Sequence, residues 1–262
     1  MMLKDKVSVI YGAAGGTGSA VARAFAQEGA RLFLTGRARA PVEALAREIV
    51  AAGGCAEAAP VDALDETAVQ EHLQEVVKSA GRIDISFNAI GVQEANVVGV
   101  PLLELDVEGF SAPIAAYTRS YFLTARQAAR HMLPRKSGVI MTVTALLARM
   151  GTRLNGGYGA SQAAKEALTR DLSAELSAHG IRVVGLRPHG MPETSKMRSL
   201  FEHKGKPHGQ TWEQFQDYLA GMSHARRTMT REEMAHVAVF LASDRASGMT
   251  GTTVNLTMGT VD

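Results

Sequence analysis

The chain has 262 residues, of which 46% are hydrophobic and 21% are charged, and its formal net charge is +2. A chain of this length and composition can bury a full hydrophobic core, as soluble globular proteins do. The small net charge and the dispersed basic residues give no indication of nucleic-acid binding. No apolar run approaches the roughly 18 residues that a membrane helix needs. We therefore expect a protein that binds neither nucleic acid nor a membrane.

Cysteine usage and the N-terminal residues bear on the compartment. Cys55 is the only cysteine, so an internal disulfide bond is excluded and secretion is not indicated. The charged residues from Met1 to Lys6 lead directly into an apolar run and leave no room for a signal peptide. We expect a cytoplasmic protein.

The first predicted elements are a strand, a glycine-rich turn and a helix. Val7 to Tyr11 is apolar and rich in β-branched residues, which is typical of a buried strand. Glycines follow with the spacing Gly12-x-x-x-Gly16-x-Gly18, and a helical pattern runs from Ser19 to Glu28. Free N–H groups and the positive end of the helix dipole favour a phosphate there, and the missing side chains let it approach. A purely structural turn is the alternative.

Strands and helices continue to alternate along the chain. This alternation predicts an α/β fold, a doubly wound parallel sheet covered by helices on both faces, in one domain spanning residues 1–262. A polar segment at about 192–228 is predicted to be a lid over a substrate. Further strands are predicted at Arg31–Thr35, up to Val61-Asp62, and at Ile83–Asn88, Val139–Thr144, Ile181–Leu186 and Thr253–Leu256, with further helices at Pro41–Ala52, Glu66–Ala80, Ala112–Leu133, Tyr158–Ala178 and Arg231–Ala242.

Several of the singled-out residues lie where predicted strands end. Ligands of doubly wound sheets bind beyond the carboxyl ends of the strands. The glycine loop is joined there by Arg37, Asp62, Asn88 and Pro188. We expect these residues to line one crevice. The histidines have no metal-ligand spacing, so no metal site is expected.

A set of motifs spans essentially the whole chain: Gly12-x-x-x-Gly16-x-Gly18, Asp62, Asn88-Ala89-Ile90-Gly91, Tyr158, Pro188-His189-Gly190 with Thr194, and the closing Phe240 to Asp244 with Thr250-Gly251. With these motifs the chain resembles the short-chain dehydrogenase/reductase family. The resemblance implies a Rossmann-type nicotinamide dinucleotide site, a carbonyl or alcohol substrate, often a homotetramer, and a catalytic set of Asn, Ser, Tyr and Lys.

The end of the second predicted strand favours NADP(H) over NAD(H). An adenosine 2′-phosphate needs a cation, whereas a free 2′-hydroxyl needs a carboxylate. Arg37 follows the strand with Arg39 close by and no acid, although a solvated surface arginine is the alternative. Asp62 would accept from the adenine amino group or simply cap the strand end. The resemblance places Gly12, Gly16, Thr17, Gly18, Arg37, Asp62, Asn88, Gly91, Gln162, Pro188 and Thr194 around the cofactor.

Three of the four catalytic positions that the resemblance implies carry other residues. Gln162 stands four residues after Tyr158, where the family has its lysine, and would be an uncharged ligand of the ribose. Ala145 stands at the serine position and Tyr117 at the asparagine position. Tyr158 is the surviving acid candidate, with packing as the alternative. Lys165 is expected to be solvated.

Other side chains offer weaker candidates for the same chemistry. Tyr117 and Tyr121, one helical turn apart, could supply a second phenol, and His189 could donate a proton. Arg149 and Arg153 could meet an acidic substrate. For each of these residues, simple packing or solvation is the alternative.

We expect an NADP(H)-dependent oxidoreductase with an atypical catalytic set, acting on a carbonyl or alcohol and assembled as a homo-oligomer, a tetramer or a dimer. One alternative is a catalytically impaired dinucleotide-binding protein or sensor. Another is a structural subunit that assembles with an active relative through the helices around 112–133 and 158–178.

Overall fold

One parallel sheet forms the centre of the molecule, in a computed structural model that describes residues 1–92 and 97–261. Its seven strands are β1 (Val7–Tyr11), β2 (Arg31–Gly36), β3 (Cys55–Pro60), β4 (Ile85–Asn88), β5 (Gly138–Val143), β6 (Ile181–Pro188) and β7 (Thr252–Leu256). Their order across the sheet is β3-β2-β1-β4-β5-β6-β7, with every neighbouring pair parallel. The chain reverses direction across the sheet between β1 and β4, which is where such sheets bind ligands.

Helices cover both faces of the sheet, which confirms the predicted architecture. The helices are α1 (Gly16–Gln27), α2 (Arg39–Ala51), α3 (Glu66–Ala80), α4 (Val107–Met132), α5 (Tyr158–Leu176), α6 (Ser195–Leu200), α7 (Trp212–Met222) and α8 (Arg231–Ala242). Side chains of α1, α2 and α8 pack into one buried cluster, as Phe25, Val42 and Met234 do. Those of α3, α4 and α5 pack into a second cluster on the opposite face.

Two helices begin three or more residues earlier than their sequence patterns predict. Helix α1 begins at Gly16 rather than Ser19, because the glycines of the loop form its first turn. Helix α4 begins at Val107 rather than Ala112, because the carboxylate of Asp106 caps it by accepting from the Gly109 N–H. Pro113 lies inside this helix and made its first turns look irregular.

The segment 192–228 folds largely into helices and has a small core of its own. A π-helical turn, Phe201–Gly205, connects α6 towards α7. Phe201, Phe215 and Leu219 are buried together, and the rings of Phe201 and Trp212 lie 5.4 Å apart edge to face. The large apolar side chains of this segment therefore pack mostly against one another. In the residues that the structure describes, no helix is long and apolar enough to cross a membrane.

A buried ion pair joins the carboxyl end of β6 to α5. Arg187 donates from Nε and Nη2 to the two carboxylate oxygens of Glu166, at 2.7 and 3.0 Å, and both side chains are less than 5% exposed. Thr144 and Arg149 also donate to this carboxylate. The pair fixes the strand and the helix that carry candidate site residues.

Removing the buried carboxylate should destabilise the protein strongly. We expect Glu166→Ala to lower the free energy of unfolding by about 3 kcal/mol, because it removes the carboxylate that pairs with the buried Arg187 guanidinium. Urea denaturation measures this change. The exposed Glu175 on the same helix is the control, and Glu175→Ala should change the stability by no more than about 0.5 kcal/mol. Equal losses in the two variants would contradict a structural role for the pair.

Candidate functional site

The loops that follow β1, β4 and β6 meet at the carboxyl edge of the sheet. A Cβ atom added to Gly12 would lie 2.7 Å from the carbonyl oxygen of Ala89, so these two loops are in backbone contact. A Cβ atom added to Gly16 would lie 2.8 Å from the methyl group of Thr194. Residues predicted from separate parts of the chain are thus brought together at one crevice.

The glycine loop leaves the N-terminus of α1 open to a ligand. Gly12 has a φ of +72°, and a Cβ atom added to Gly18 would lie 2.3 Å from the Gly12 carbonyl oxygen, so both positions require glycine. Gly15 is the N-cap residue and provides no side-chain cap, and the first turn contains no acid. The first N–H groups of the helix therefore have no intrahelical partner. This arrangement fits the pyrophosphate of a dinucleotide.

Tyr11 does not obstruct this loop. Its ring is fully buried among Val9, Val69 and Tyr121 in the core beneath α3 and α4, and burial raises the pKa of its phenol. Thr17 is half-buried in the first turn of α1. The loop therefore keeps the space that a phosphate group needs.

The end of β2 presents an exposed cation. Arg37 makes no hydrogen bond or ion pair within the described residues, whereas Arg39 is paired with Glu43 at 3.2 Å. Asp62 is exposed, and one of its carboxylate oxygens accepts from the Leu64 N–H at 3.0 Å. Asp62 thus forms a local cap, which was its alternative role.

The remaining residues predicted to bind the cofactor differ in how far they are exposed to solvent. The Asn88 side chain is buried and donates to the Thr124 hydroxyl at 3.1 Å, so it supports α4 from below the crevice. Gly91 is exposed, with open space around its Cα. The Thr194 hydroxyl donates to the Met191 carbonyl at 2.8 Å and caps α6. Pro188 ends β6 in register with β7.

Tyr158 is the half-buried first residue of α5 and has aromatic and cationic neighbours. Its ring packs edge to face against Tyr117, with centroids 5.7 Å apart. The ammonium group of Lys196, which belongs to α6, lies 4.9 Å from the centre of the Tyr158 ring. The Tyr117 hydroxyl accepts from the Val92 N–H at 3.2 Å. The phenol of Tyr158 is thus held at the crevice beneath the lid-like segment.

The positions around Tyr158 lack the hydroxyl and the charge that the family pattern would place there. Gln162 is buried, and its amide donates to the Ser161 hydroxyl at 3.0 Å. Ala145 presents only a methyl group at the end of β5. The neighbouring Thr144 does not replace the missing hydroxyl, because it donates to Glu166 and Leu186 on the other side, as strand alternation predicts.

Lys165 is buried, so the prediction that it is solvated is wrong. Its side chain is 1% exposed and its ammonium donates to the Val143 carbonyl at 2.7 Å. The nitrogen lies 5.7 and 5.8 Å from the ring centres of Tyr117 and Tyr121. Burial lowers the pKa of Lys165 to about 7. Lys165 follows Tyr158 by seven residues, about two helical turns, so both side chains lie on one face of α5. This spacing indicates that Lys165 faces the same side as Tyr158, whereas its spacing from Gln162 does not.

Two of the weaker candidates, Arg149 and His189, are occupied or shielded. Arg149 pairs with Glu166 at 3.2 Å, so it is held away from a substrate role, while Arg153 is exposed. Burial lowers the pKa of His189, against a weaker opposing contribution from the Gly190 carbonyl, which favours the neutral ring. Its Nε2 finds no hydrogen-bond partner among the described residues. Within residues 1–92 and 97–261, no group of three or more His, Cys, Asp or Glu side chains could hold a metal ion.

A known protein family matches almost the whole chain. The family model described as enoyl-(acyl carrier protein) reductase matches residues 12–260, from the glycine loop to beyond the last strand. The chain belongs to the short-chain dehydrogenase/reductase family. It is accordingly an oxidoreductase of a family that uses a nicotinamide dinucleotide and acts on alcohol or keto groups.

Individual members of the short-chain dehydrogenase/reductase family match along nearly the full chain. An uncharacterised oxidoreductase of Bacillus subtilis is 33% identical over 95% of this chain and 88% of its own. The 5-keto-D-gluconate 5-reductase of Escherichia coli is 28% identical over 95% of this chain and 92% of its own. The crystal structure of an NAD⁺-bound xylitol dehydrogenase has a TM-score of 0.90 at 25% identity, covering 98% of this chain and 99% of that one.

The buried lysine of this family member should reduce its stability at neutral pH. Its folded-state pKa of about 7 lies well below the ordinary value of about 10.4, so the folded state disfavours the charged amine. We expect Lys165→Met to raise the free energy of unfolding at pH 6 to 7 by on the order of 2 kcal/mol, after the loss of one hydrogen bond. Urea denaturation at several pH values measures this difference.

The pH dependence of that difference has a definite sign. Between pH 7 and about 10 the unfolded wild-type chain binds more protons than the folded one, so wild-type stability rises with pH and the advantage of the variant shrinks. Below pH 7 the advantage should stay constant. The exposed Lys78 is the control, because Lys78→Met should shift stability little at any pH. A Lys165→Met variant less stable than wild type at pH 6 would contradict the expectation.

Proposed function

We propose that the protein is an NADP(H)-dependent reductase of carbonyl compounds, with Tyr158 as its proton donor and an atypical catalytic set. The observation that carries the proposal is the position of Tyr158 at the same edge as the open glycine loop, with the Lys196 ammonium 4.9 Å from its ring. A phenol beside a cation releases its proton more readily than a phenol alone. An acid of this kind suits proton transfer to a carbonyl oxygen.

Arg37 supports the choice of NADP(H). It is an exposed guanidinium at the end of β2 without an ion-pair partner in the described part of the chain, and a phosphate monoester is a ligand that such a group binds in a bidentate manner. No acid follows β2 to accept from a free 2′-hydroxyl. The NAD⁺ in the similar xylitol dehydrogenase belongs to that protein, and the preference proposed here rests on Arg37.

The chain's own residues would divide the work as follows. When bound, a reduced nicotinamide supplies the hydride that the carbonyl carbon accepts. Tyr158 gives its phenolic proton to the carbonyl oxygen and regains one from solvent, so a ketone becomes an alcohol. Gln162 would hold a ribose hydroxyl through its amide, and the loop from Gly12 to Gly18 would hold the pyrophosphate.

Positive charge near Tyr158 would come from residues other than the one the family pattern predicts. Lys196 lies over the Tyr158 ring from the lid side. Lys165 lies beneath Tyr117, which in turn packs against Tyr158. Neither ammonium stands four residues after Tyr158, where the uncharged Gln162 lies. The proposed catalytic set is atypical in this sense.

Three wider expectations belong to the same proposal. The segment 192–228 would cover the substrate, since Thr194 packs against Gly16 and Lys196 against Tyr158. A homo-oligomer is supported by Phe122 and Phe240, large apolar side chains that remain about 40% exposed on helix surfaces. A cytoplasmic location is in keeping with the single free cysteine.

Replacing Arg37 should change cofactor preference rather than dinucleotide binding in general. We expect Arg37→Ala to weaken NADPH binding by about tenfold to a hundredfold and to leave NADH binding within about threefold, because only the 2′-phosphate loses a partner. Calorimetric titration with each cofactor measures both. Arg39→Ala is the control, since Arg39 already pairs with Glu43. Equal losses for NADPH and NADH would contradict the assignment.

Removing the Tyr158 hydroxyl should abolish most of the turnover. We expect Tyr158→Phe to lower kcat/KM for reduction of a ketone substrate by about a hundredfold or more, since the variant lacks the proton donor and retains the ring packing. Oxidation of NADPH followed by absorbance measures the rate. Tyr117→Phe is the matched variant, because it removes the hydroxyl of the other ring in the same aromatic pair, whose centre lies 5.7 Å from that of Tyr158. A larger loss in Tyr117→Phe would assign the acid to Tyr117 instead.

A further inference from the structure

The lid-like segment carries an excess of positive charge. Residues 195–209 contain four lysine or arginine side chains and one acid. Two of the four cations have contacts within the lid-like segment: Arg198 lies 3.7 Å from the centre of the Trp212 ring, and Lys206 pairs with Glu202 at 2.7 Å. Lys196 and Lys204 contact residues outside the segment as well. These two lysines are directed at the wall that carries Tyr158.

Lys204 is a half-buried ammonium whose partner is neutral. It donates to the side-chain oxygen of the buried Asn155 at 2.9 Å, and no carboxylate lies within ion-pair distance of it in the described part of the chain. Asn155 in turn accepts, through its backbone oxygen, from the Tyr158 N–H at 3.1 Å. Burial lowers the pKa of Lys204 to about 8, so most of the population is still charged at pH 7. The cation thus sits beside the turn that begins the helix of Tyr158.

Lys196 brings a second positive charge to the same wall. Its nitrogen lies 4.9 Å from the centre of the Tyr158 ring, on the lid side of the crevice. A carbonyl oxygen that accepts a proton from Tyr158 must come within about 3 Å of the phenol. The remaining atoms of a small substrate would then face the lid-like segment, which carries both lysines.

Resting on the proposed reductase function, we propose that the substrate is an anionic carbonyl compound, whose carboxylate or phosphate group is bound by Lys204 and Lys196. Such a group would supply the counter-charge that Lys204 lacks, and charge-assisted hydrogen bonds are the strong ones in a partly dehydrated crevice. An uncharged substrate would bury Lys204 further without compensation. The anion therefore fixes the orientation of the substrate, and Tyr158 acts on its carbonyl group.

Matched pairs of ketones test this assignment. We would compare 4-oxopentanoate with its methyl ester, and D-fructose 6-phosphate with D-fructose, by NADPH oxidation. We expect at least about tenfold higher kcat/KM for the anionic member of one pair, and which pair shows it distinguishes carboxylate from phosphate. Lys204→Met should remove most of that preference by slowing the anion alone, and Lys204→Arg should retain it. Lys206→Met is the control, because Lys206 faces outward to Glu202.

A binding measurement separates this proposal from the reductase function on which it rests. Trp212, the only tryptophan of the chain, packs against Phe201 in the lid, so its fluorescence reports binding there without turnover. We expect 4-oxopentanoate or D-fructose 6-phosphate, but not the uncharged partner, to change the emission in wild type and not in Lys204→Met. Selective binding without any ketone reduction would overturn the reductase function and keep the anion site. Equal behaviour of the charged and uncharged partners in both assays would overturn the anion site.

Discussion

The close backbone approach of Gly18 to Gly12 is the constraint on which the site depends. Because no Cβ atom fits at Gly18, α1 can start directly against the end of β1, and its N-terminus points into the crevice. Gly12, with its positive φ, turns the chain at the one point where it also contacts Ala89 of the neighbouring loop. Any side chain at these positions would move α1 away from the sheet and close the space for a phosphate.

Local signals predicted those parts of the fold that local interactions determine. The bounds of α3 follow directly from its caps, because Asp65 accepts from the N–H groups of Thr67 and Ala68, and Gly81 ends the helix in the left-handed conformation. The alternation of strands and helices predicted the doubly wound sheet, because each element is determined by its own local pattern of apolar residues. The glycine spacing predicted the loop, since the structure leaves no room for other residues there.

Long-range packing determined the rest, and the sequence patterns could not resolve it. Lys165 looked like a surface residue because a lysine is seldom buried without an acid. In the folded chain, Tyr117 and Tyr121 of α4 cover its ammonium group. Asn88 ends a strand at the crevice, yet its side chain turns inward to Thr124 on α4. In both residues a helix distant in the chain sets the side-chain environment.

The distribution of positive charge explains how the phenol of Tyr158 could work without a lysine at residue 162. At an effective dielectric constant of about 20, two unit charges about 5 Å apart interact by about 3 kcal/mol, and solvent reduces this for a half-buried group such as Lys196. Lys165 is better shielded from solvent, but the ring of Tyr117 lies between it and Tyr158. Lys196 belongs to α6 in the lid-like segment, so its distance from Tyr158 depends on the position of that segment. The acidity of Tyr158 and the closure of the lid over a substrate would therefore be linked.

Among the described residues, six buried polar side-chain atoms have no hydrogen-bond partner, and half of them, those of Ser8, His72 and Arg126, lie away from the edge of the sheet that carries the site. Three buried atoms without a partner in the described residues, the Tyr11 hydroxyl, the Asn88 Oδ1 and the His189 Nε2, belong to the ends of β1 and β4 and the turn after β6. At the opposite edge, Asp84 accepts from the Val7 N–H at 2.8 Å and pairs with Arg82 at 2.9 Å. Each unpaired buried group costs about 1–3 kcal/mol. Asn88 ends β4 and His189 follows β6, two strands that border the crevice, so a ligand bound there would supply the partners that their free atoms lack among the described residues.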